Sequence, residues 1–147
     1  MSVRLALAVD VEHPNAAHQV DLAQGWIART GGALDLLYAE GTHATTRWIS
    51  DPAALALVNT EIERMREVAA ARLTELLQRV AEPHRGVARV LAGPTVEALI
   101  EASSESGYDA LLVATHGRRG LTQFWLGSVA ERLVRHATVP VMVLRLA

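Results

Sequence analysis

Val3-Arg4-Leu5-Ala6-Leu7-Ala8-Val9-Asp10 is a short, nearly continuous apolar run that ends on an acid. A run of this kind, without the alternation of a half-exposed strand, is the pattern of a strand buried on both faces of a parallel sheet. Downstream, past Pro14, apolar side chains recur at helical spacing (Ala16, Val20, Ala23, Ile27) until Gly31-Gly32 supply a left-handed stop. Leu34 to Ala39 read as a second strand and Gly41 to Ser50 as a polar loop. Asp51-Pro52 then gives an N-cap followed by proline at the first helical position. The helix it opens carries a long stripe: Leu55, Val58, Ile62, Met65, Ala69, Leu73, Leu76, Leu77 and Val80.

The second half repeats the alternation. Val87 to Leu91 form a third strand closed by Gly93-Pro94, and Val96, Leu99, Ile100 and Ala102 mark a third helix that ends near Gly107. Asp109 to Ala114 form a fourth strand, a glycine-bearing loop runs from Thr115 to Gly127, a fourth helix spans about Val129 to His136, and Val139 to Leu144 form a fifth strand. Alternating strands and helices with right-handed crossovers predict an α/β fold. Its five-stranded parallel sheet has helices on both faces, and of the doubly wound orders that such alternation allows the one expected here is 3-2-1-4-5. Ligands of such sheets bind beyond the carboxyl ends of the strands, where the order reverses. No linker, repeat or low-complexity tract divides the chain, so residues 1–147 are expected to form one domain.

Composition narrows the chemistry. Half of the 147 residues are hydrophobic and 20% charged, with mean hydropathy +0.18, which is too apolar for a disordered chain. Sixteen acids against 14 bases leave a net charge of −2, so no global field favours nucleic acid or an anionic membrane. Cysteine is absent, which excludes disulfides, thiolate metal sites and Cys nucleophiles. All 14 basic residues are arginine, which excludes Schiff-base chemistry and a P-loop lysine. The first apolar run is too short and too polar for a signal segment or a membrane span, and the expected location is the cytoplasm.

Two strand ends converge on the expected crevice, Asp10 after the first and Ala114-Thr115-His116-Gly117 after the fourth. Glycines at 117 and 127 let backbone approach a ligand, and the N–H groups of Ser128, Val129 and Ala130 at a helix N-terminus favour an anion such as phosphate. Ser128-Val129-Ala130-Glu131 also reads as a capping box, which would use those N–H groups itself. Both readings stand at this point. Asp10 either orients a base edge or magnesium-bound water, or only ends the strand. Arg118 and Arg119 read as solvated rather than as a phosphate clamp, and Phe124 and Trp125 as packing rather than base stacking. His13, His18 and His116 lack the spacing and carboxylates of a metal site, and Trp26 and Trp48 are expected to be partial core.

The stretch Ala114-Thr115-His116-Gly117-Arg118-Arg119-Gly120-Leu121-Thr122-Gln123-Phe124-Trp125-Leu126-Gly127-Ser128-Val129-Ala130-Glu131-Arg132-Leu133-Val134-Arg135-His136-Ala137-Thr138-Val139-Pro140-Val141-Met142-Val143-Leu144 resembles the C-terminal signature of the universal stress protein family. Asp10, Leu36-Leu37-Tyr38-Ala39, Gly93-Pro94 and Tyr108-Asp109 fall where that family has similar residues, so the resemblance spans the chain. The family's nucleotide-binding branch has the pattern Gly, two residues, Gly, nine residues, Gly, then Ser or Thr. Gly117 and Gly127-Ser128 match its second glycine and final pair, while Ala114 stands at the first glycine.

The resemblance implies a Rossmann-like fold of the adenine-nucleotide alpha-hydrolase-like kind that binds ATP, with Mg, as a stress-response regulator. It puts adenine near Asp10 and Ala39, ribose and phosphates along Val113, Ala114, His116 and Gly117, and terminal phosphates on Gly127, Ser128, Val129 and Ala130. No nucleophile–base pair emerges, so the expected activity is at most slow ATP hydrolysis. A homodimer is expected through the apolar edge run 139–146, together with a protein partner of unspecified kind. Two alternatives remain. One is a nucleotide-free dimeric interaction module of the same fold, towards which Ala114 leans. The other is a nucleotidyl transferase or ATP pyrophosphatase, whose HxGH or SGGxDS motifs Asp10-Val11-Glu12-His13-Pro14 does not match.

Overall fold

In the computed structural model, which describes residues 2–41, 46–115 and 127–146, five strands alternate with four α-helices. The strands are β1 (Arg4–Ala8), β2 (Ala33–Ala39), β3 (Arg85–Leu91), β4 (Ala110–Thr115) and β5 (Val141–Arg145). The helices are α1 (Ala16–Thr30), α2 (Pro52–Leu77), α3 (Thr95–Glu105) and α4 (Ser128–His136). Every pairing is parallel and the order across the sheet is β3-β2-β1-β4-β5, as expected.

Each face of the sheet is apolar because successive strand residues point to opposite sides. Leu5, Leu7 and Val9, with Leu34, Leu36 and Leu112, pack under Val20, Ala23 and Ile27 of α1 and Leu73, Leu76 and Leu77 of α2. Ala6, Leu37, Leu111 and Val113 pack under Val96, Leu99 and Ala102 of α3 and Leu133 of α4. The order reverses between β1 and β4, and the crevice of such a sheet opens there, at the strands' carboxyl ends.

The opposite, amino-terminal end of the sheet is tied by a buried charge. Asp35 of β2 is 4% exposed. Its Oδ1 accepts the Val87 N–H at 2.8 Å from β3, and its Oδ2 accepts the Tyr108 hydroxyl at 2.6 Å and Arg4 Nη2 at 3.4 Å. Arg4 also lies over the Tyr108 ring at 5.1 Å, and its N–H reaches Asp109 Oδ2 at 2.7 Å. Burial, followed by the Asp35 carboxylate, pushes the Tyr108 phenol above its ordinary pKa. Gly86 makes room for this arrangement: a Cβ there would overlap Asp35 Oδ1 and stand 2.7 Å from the Leu34 carbonyl oxygen.

Two expectations are corrected. The apolar stripe read over α2 is buried only from Ala69 on, at Ala69, Leu73, Leu76, Leu77 and, just past the helix end, Val80, whereas Met65 is exposed and Leu55, Val58 and Ile62 are half-buried. The reason is length. A 26-residue helix extends about 39 Å, while a seven-residue strand extends about 23 Å, so the first half of α2 overhangs the sheet. Its start is as read: Asp51 caps through Ala53 N–H at 3.4 Å and Ala54 N–H at 3.2 Å, with Pro52 first in the helix. Trp48 is 86% exposed and Trp26 38%, the latter under the Arg29 guanidinium at 4.5 Å, so neither is core.

Losing the Tyr108 hydroxyl leaves a buried carboxylate short of a partner, and Tyr108→Phe is expected to reduce stability by about 1–3 kcal/mol in urea unfolding. Gly86→Ala should destabilise more, because its neighbours are a fixed carboxylate and a ladder carbonyl. A wild-type midpoint for Gly86→Ala would contradict this account of the sheet's lower end.

Candidate nucleotide crevice

At the carboxyl end of the sheet a cavity of about 480 Å³ lies across the point where strand order reverses. Asp10, Ala39, Val113, Ala114, Gly127, Ser128, Val129 and Ala130 all line it. Of the residues singled out from sequence, His116 and Gly117 fall outside the described residues, as do Arg118, Arg119, Phe124 and Trp125.

Asp10 lies two residues past β1. Its Oδ1 accepts the Glu12 N–H at 3.0 Å and its carbonyl accepts the His13 N–H at 3.1 Å, so it builds the turn and also stands on the cavity rim. The ladder to β2 ends nearby, with Val9 N–H on the Leu37 carbonyl at 2.9 Å. Two residues on, Ala39 points its N–H and C=O the same way as Leu37, towards β1, which has ended. Glu40 and Gly41 turn the other way, their N–H groups on Leu91 and Gly93 carbonyls at 3.1 and 3.2 Å. Ala39 therefore offers one backbone donor and one acceptor over the crevice that no described residue takes up.

Val113 is the last β4 residue paired with β1, opposite Ala8, and its side chain is buried towards α3 and α4. Ala114 pairs only with Leu144 of β5, in regular strand conformation, and its methyl packs on the α1 and α2 side. Among the described residues every positive φ belongs to glycine, so the strand end is unstrained at Ala114.

The capping-box reading is overturned. Gly127, not Ser128, is the N-cap of α4, and no side chain among the described residues caps the helix. Gly127 sits at φ 75° and ψ 149°, in a region that is essentially closed to other residues. Having no side chain, it cannot accept the orphan N–H groups. Ser128 becomes the first helical residue, and Glu131, instead of reaching back, pairs with Arg135 at 2.9 Å. The first helical bond is from Glu131 N–H to the Gly127 carbonyl at 3.0 Å, which leaves the N–H groups of Ser128, Val129 and Ala130 without helical acceptors. Partial positive charge at this helix end faces an open cavity.

The other end is acidic. Glu12, Tyr38 and Glu40 line the cavity there, and burial, then Glu12, Asp10 and Glu40, push the Tyr38 phenol above its ordinary pKa. Glu40 is held by a fork from Arg66 of α2 at 2.7 and 3.0 Å. The cavity is thus polarised, with carboxylates at the β2 end and helix dipole at the α4 end.

Sequence reading missed Gln19, Thr95, Glu12, Tyr38 and Glu40. Gln19 carried a signal, since it interrupts the apolar face formed by Ala16, Val20 and Ala23; Thr95 needed the third dimension. His13 Nδ1 accepts the Asn15 N–H at 3.0 Å at the start of α1. No three His, Asp or Glu among the described residues are grouped to hold a metal ion, and no helix among them is long and apolar enough to cross a membrane.

A profile described as the universal stress protein family matches residues 1–145, and the chain belongs to that family. Over 56 residues it is 34% identical to universal stress protein MJ0531 of Methanocaldococcus jannaschii, a stretch that is 38% of this chain and 33% of that protein. Among solved structures it resembles a universal stress protein in complex with cAMP, at 20% identity over 99% of this chain and 98% of the other, with a TM-score of 0.64. It also resembles an Arabidopsis thaliana universal stress protein family protein with AMP bound, at 19% identity over 99% and 92% of the two chains, with a TM-score of 0.58. These likenesses show the five-stranded α/β fold.

Proposed function

We propose that this protein binds ATP or a related adenine nucleotide in the crevice and acts as a stress-response regulatory module, with little or no catalysis. The observation that supports it most is the N-terminus of α4: three N–H groups without a partner among the described residues, at the cavity end farthest from the carboxylates. Base at the Asp10 and Ala39 end and phosphates at the α4 end is the orientation this polarity favours. Ala39 presents the donor–acceptor pair that an adenine edge can meet. The family relatives solved with cAMP and AMP lend support to an adenine nucleotide.

Ala114, at the position of the pattern's first glycine, is compatible with this reading because its methyl packs towards α1 and α2 in ordinary strand geometry. Any Mg²⁺ would be held by phosphate oxygens and water with one or two carboxylates, for which Asp10 stands on the rim. Among the described residues lining the cavity, no nucleophile is hydrogen-bonded to a general base, so hydrolysis would be slow. Mass spectrometry of the supernatant from denatured, freshly purified protein is expected to release an adenine nucleotide. If none is released and none binds on titration, the nucleotide-free interaction module takes its place.

A homodimer through β5 belongs to the same reading. The strand lies at the sheet's edge, with Val141, Met142 and Val143 half-buried, and its outer backbone groups can pair with a second chain. Light scattering at micromolar concentration should give twice the 15.9 kDa chain mass; a strict monomer overturns the dimer.

Gly127→Val should abolish ATP binding, because a β-branched residue cannot hold φ 75° and the displaced turn would re-aim the free N–H groups. Ser128→Ala should weaken it only modestly, by about 0.5–1.5 kcal/mol, since one hydroxyl is lost and the backbone stays. Calorimetry in which Gly127→Val binds like wild type would refute the proposed phosphate site.

A further inference from the structure

The buried face of α1 contains one polar side chain. Ala16, Val20, Ala23 and Ile27 make up the rest of that face, and Gln19, at 3% exposure, sits among them. Its N–H donates to the Asn15 carbonyl at 3.0 Å, and its side-chain amide has no hydrogen-bond partner among the described residues. Buried amides are normally satisfied by protein or by water, and one that faces a cavity takes its partner from what fills that cavity. Gln19 also lines the crevice. Since its backbone is taken up in the helix, the side chain is what the cavity meets.

Its place along the crevice is the middle. Helix α1 starts just past the turn at Asp10 and packs on β1, β2 and β5, so its first turn stands by the ends of β1 and β4. Val9 and Ala114 direct their side chains to the same face of the sheet. Tyr38, Ala39 and Glu40 lie to one side of this point and Gly127 to Ala130 to the other. Apart from Asp10, whose Oδ1 already accepts from Glu12, the strand ends here contribute apolar side chains: Ala8, Val9, Val113 and Ala114.

We propose that Gln19 is a specificity-determining residue whose amide hydrogen-bonds a ribose hydroxyl and so selects ribonucleotides over deoxyribonucleotides. This rests on the nucleotide reading above: with base at one end and phosphates at the other, the sugar occupies the middle. A hydroxyl both donates and accepts, and a carboxamide offers the matching acceptor and donors. A sugar lacking that hydroxyl leaves the amide buried and unpaired, which is how a site built around a hydroxyl rejects the analogue without one. Discrimination between sugars then comes from α1, outside the glycine signature that follows β4.

The test is calorimetric titration of wild type and Gln19→Leu with ATP, 2′-deoxyATP and 3′-deoxyATP, with Gln19→Met as a second apolar variant of similar size. Wild type should prefer ATP about tenfold over at least one of the deoxy forms. The variants should lose that preference, with ATP weakened about tenfold and the disfavoured analogue changed less than about twofold. Thermal unfolding of the free variants, expected at or above the wild-type midpoint, separates this from damage to the fold. Equal weakening of all three nucleotides would mean a base, phosphate or packing role and overturns the proposal, as do variants that bind like wild type. A wild type that binds all three equally overturns only the role of Gln19; one that binds none overturns the nucleotide reading itself.

Discussion

A carboxylate placed inside a parallel sheet must be matched or the sheet does not form, and Asp35 sets that condition here. Its partners come from three other segments: Arg4 at the start of β1, Val87 in β3, and Tyr108 just ahead of β4. The strands on both sides of the central pair are thereby brought into line at one end. Gly86 is bare because the carboxylate oxygen occupies the space that a side chain would take. With registers held at the amino-terminal end, the opposite end is free to leave hydrogen-bonding groups unmade.

That freedom is used in a consistent way. β1 stops before β2 does, which exposes the backbone edge of Ala39, and α4 begins on a glycine that cannot cap it. Both features withhold local partners from backbone groups that a fold would otherwise satisfy. Together with carboxylates at one end and the helix dipole at the other, they give the crevice a direction. A ligand with a hydrogen-bonding ring and an anionic tail fits that direction in one orientation.

The parallel pairing and most element ends were legible from Val3 to Val9, from the alternation that follows, and from glycine and proline punctuation. The strand order is not fixed by alternation, which other doubly wound sheets share. The Asp51-Pro52 start of α2 was legible because capping is local chemistry. The α4 start was read one residue off, since Ser128-Val129-Ala130-Glu131 fits a capping box and the decision lies in the φ of Gly127, which no residue pattern states. The overhang of α2 was invisible for a different reason: periodicity reports which residues share a face, not whether there is a sheet beneath them. Trp48 misled in the same way, being apolar without a neighbour. Asp35, set within the apolar strand Ala33 to Ala39, was a signal of a buried polar network that the apolar pattern around it concealed.

The overhanging half of α2 makes the helix a lever. Its fixed end is buried from Ala69 onward, and the Glu40–Arg66 pair stands close to that support, beside the crevice. From Arg66 to Asp51 the rod is about 22 Å long, and along it Glu61–Arg64 and Glu63–Arg66 pairs brace the turns from within. A tilt of about 5° at the pivot would carry the tip by about 2 Å. Leu57 stands exposed on the overhanging length, and the Glu40–Arg66 pair is the tie between the crevice rim and the helix.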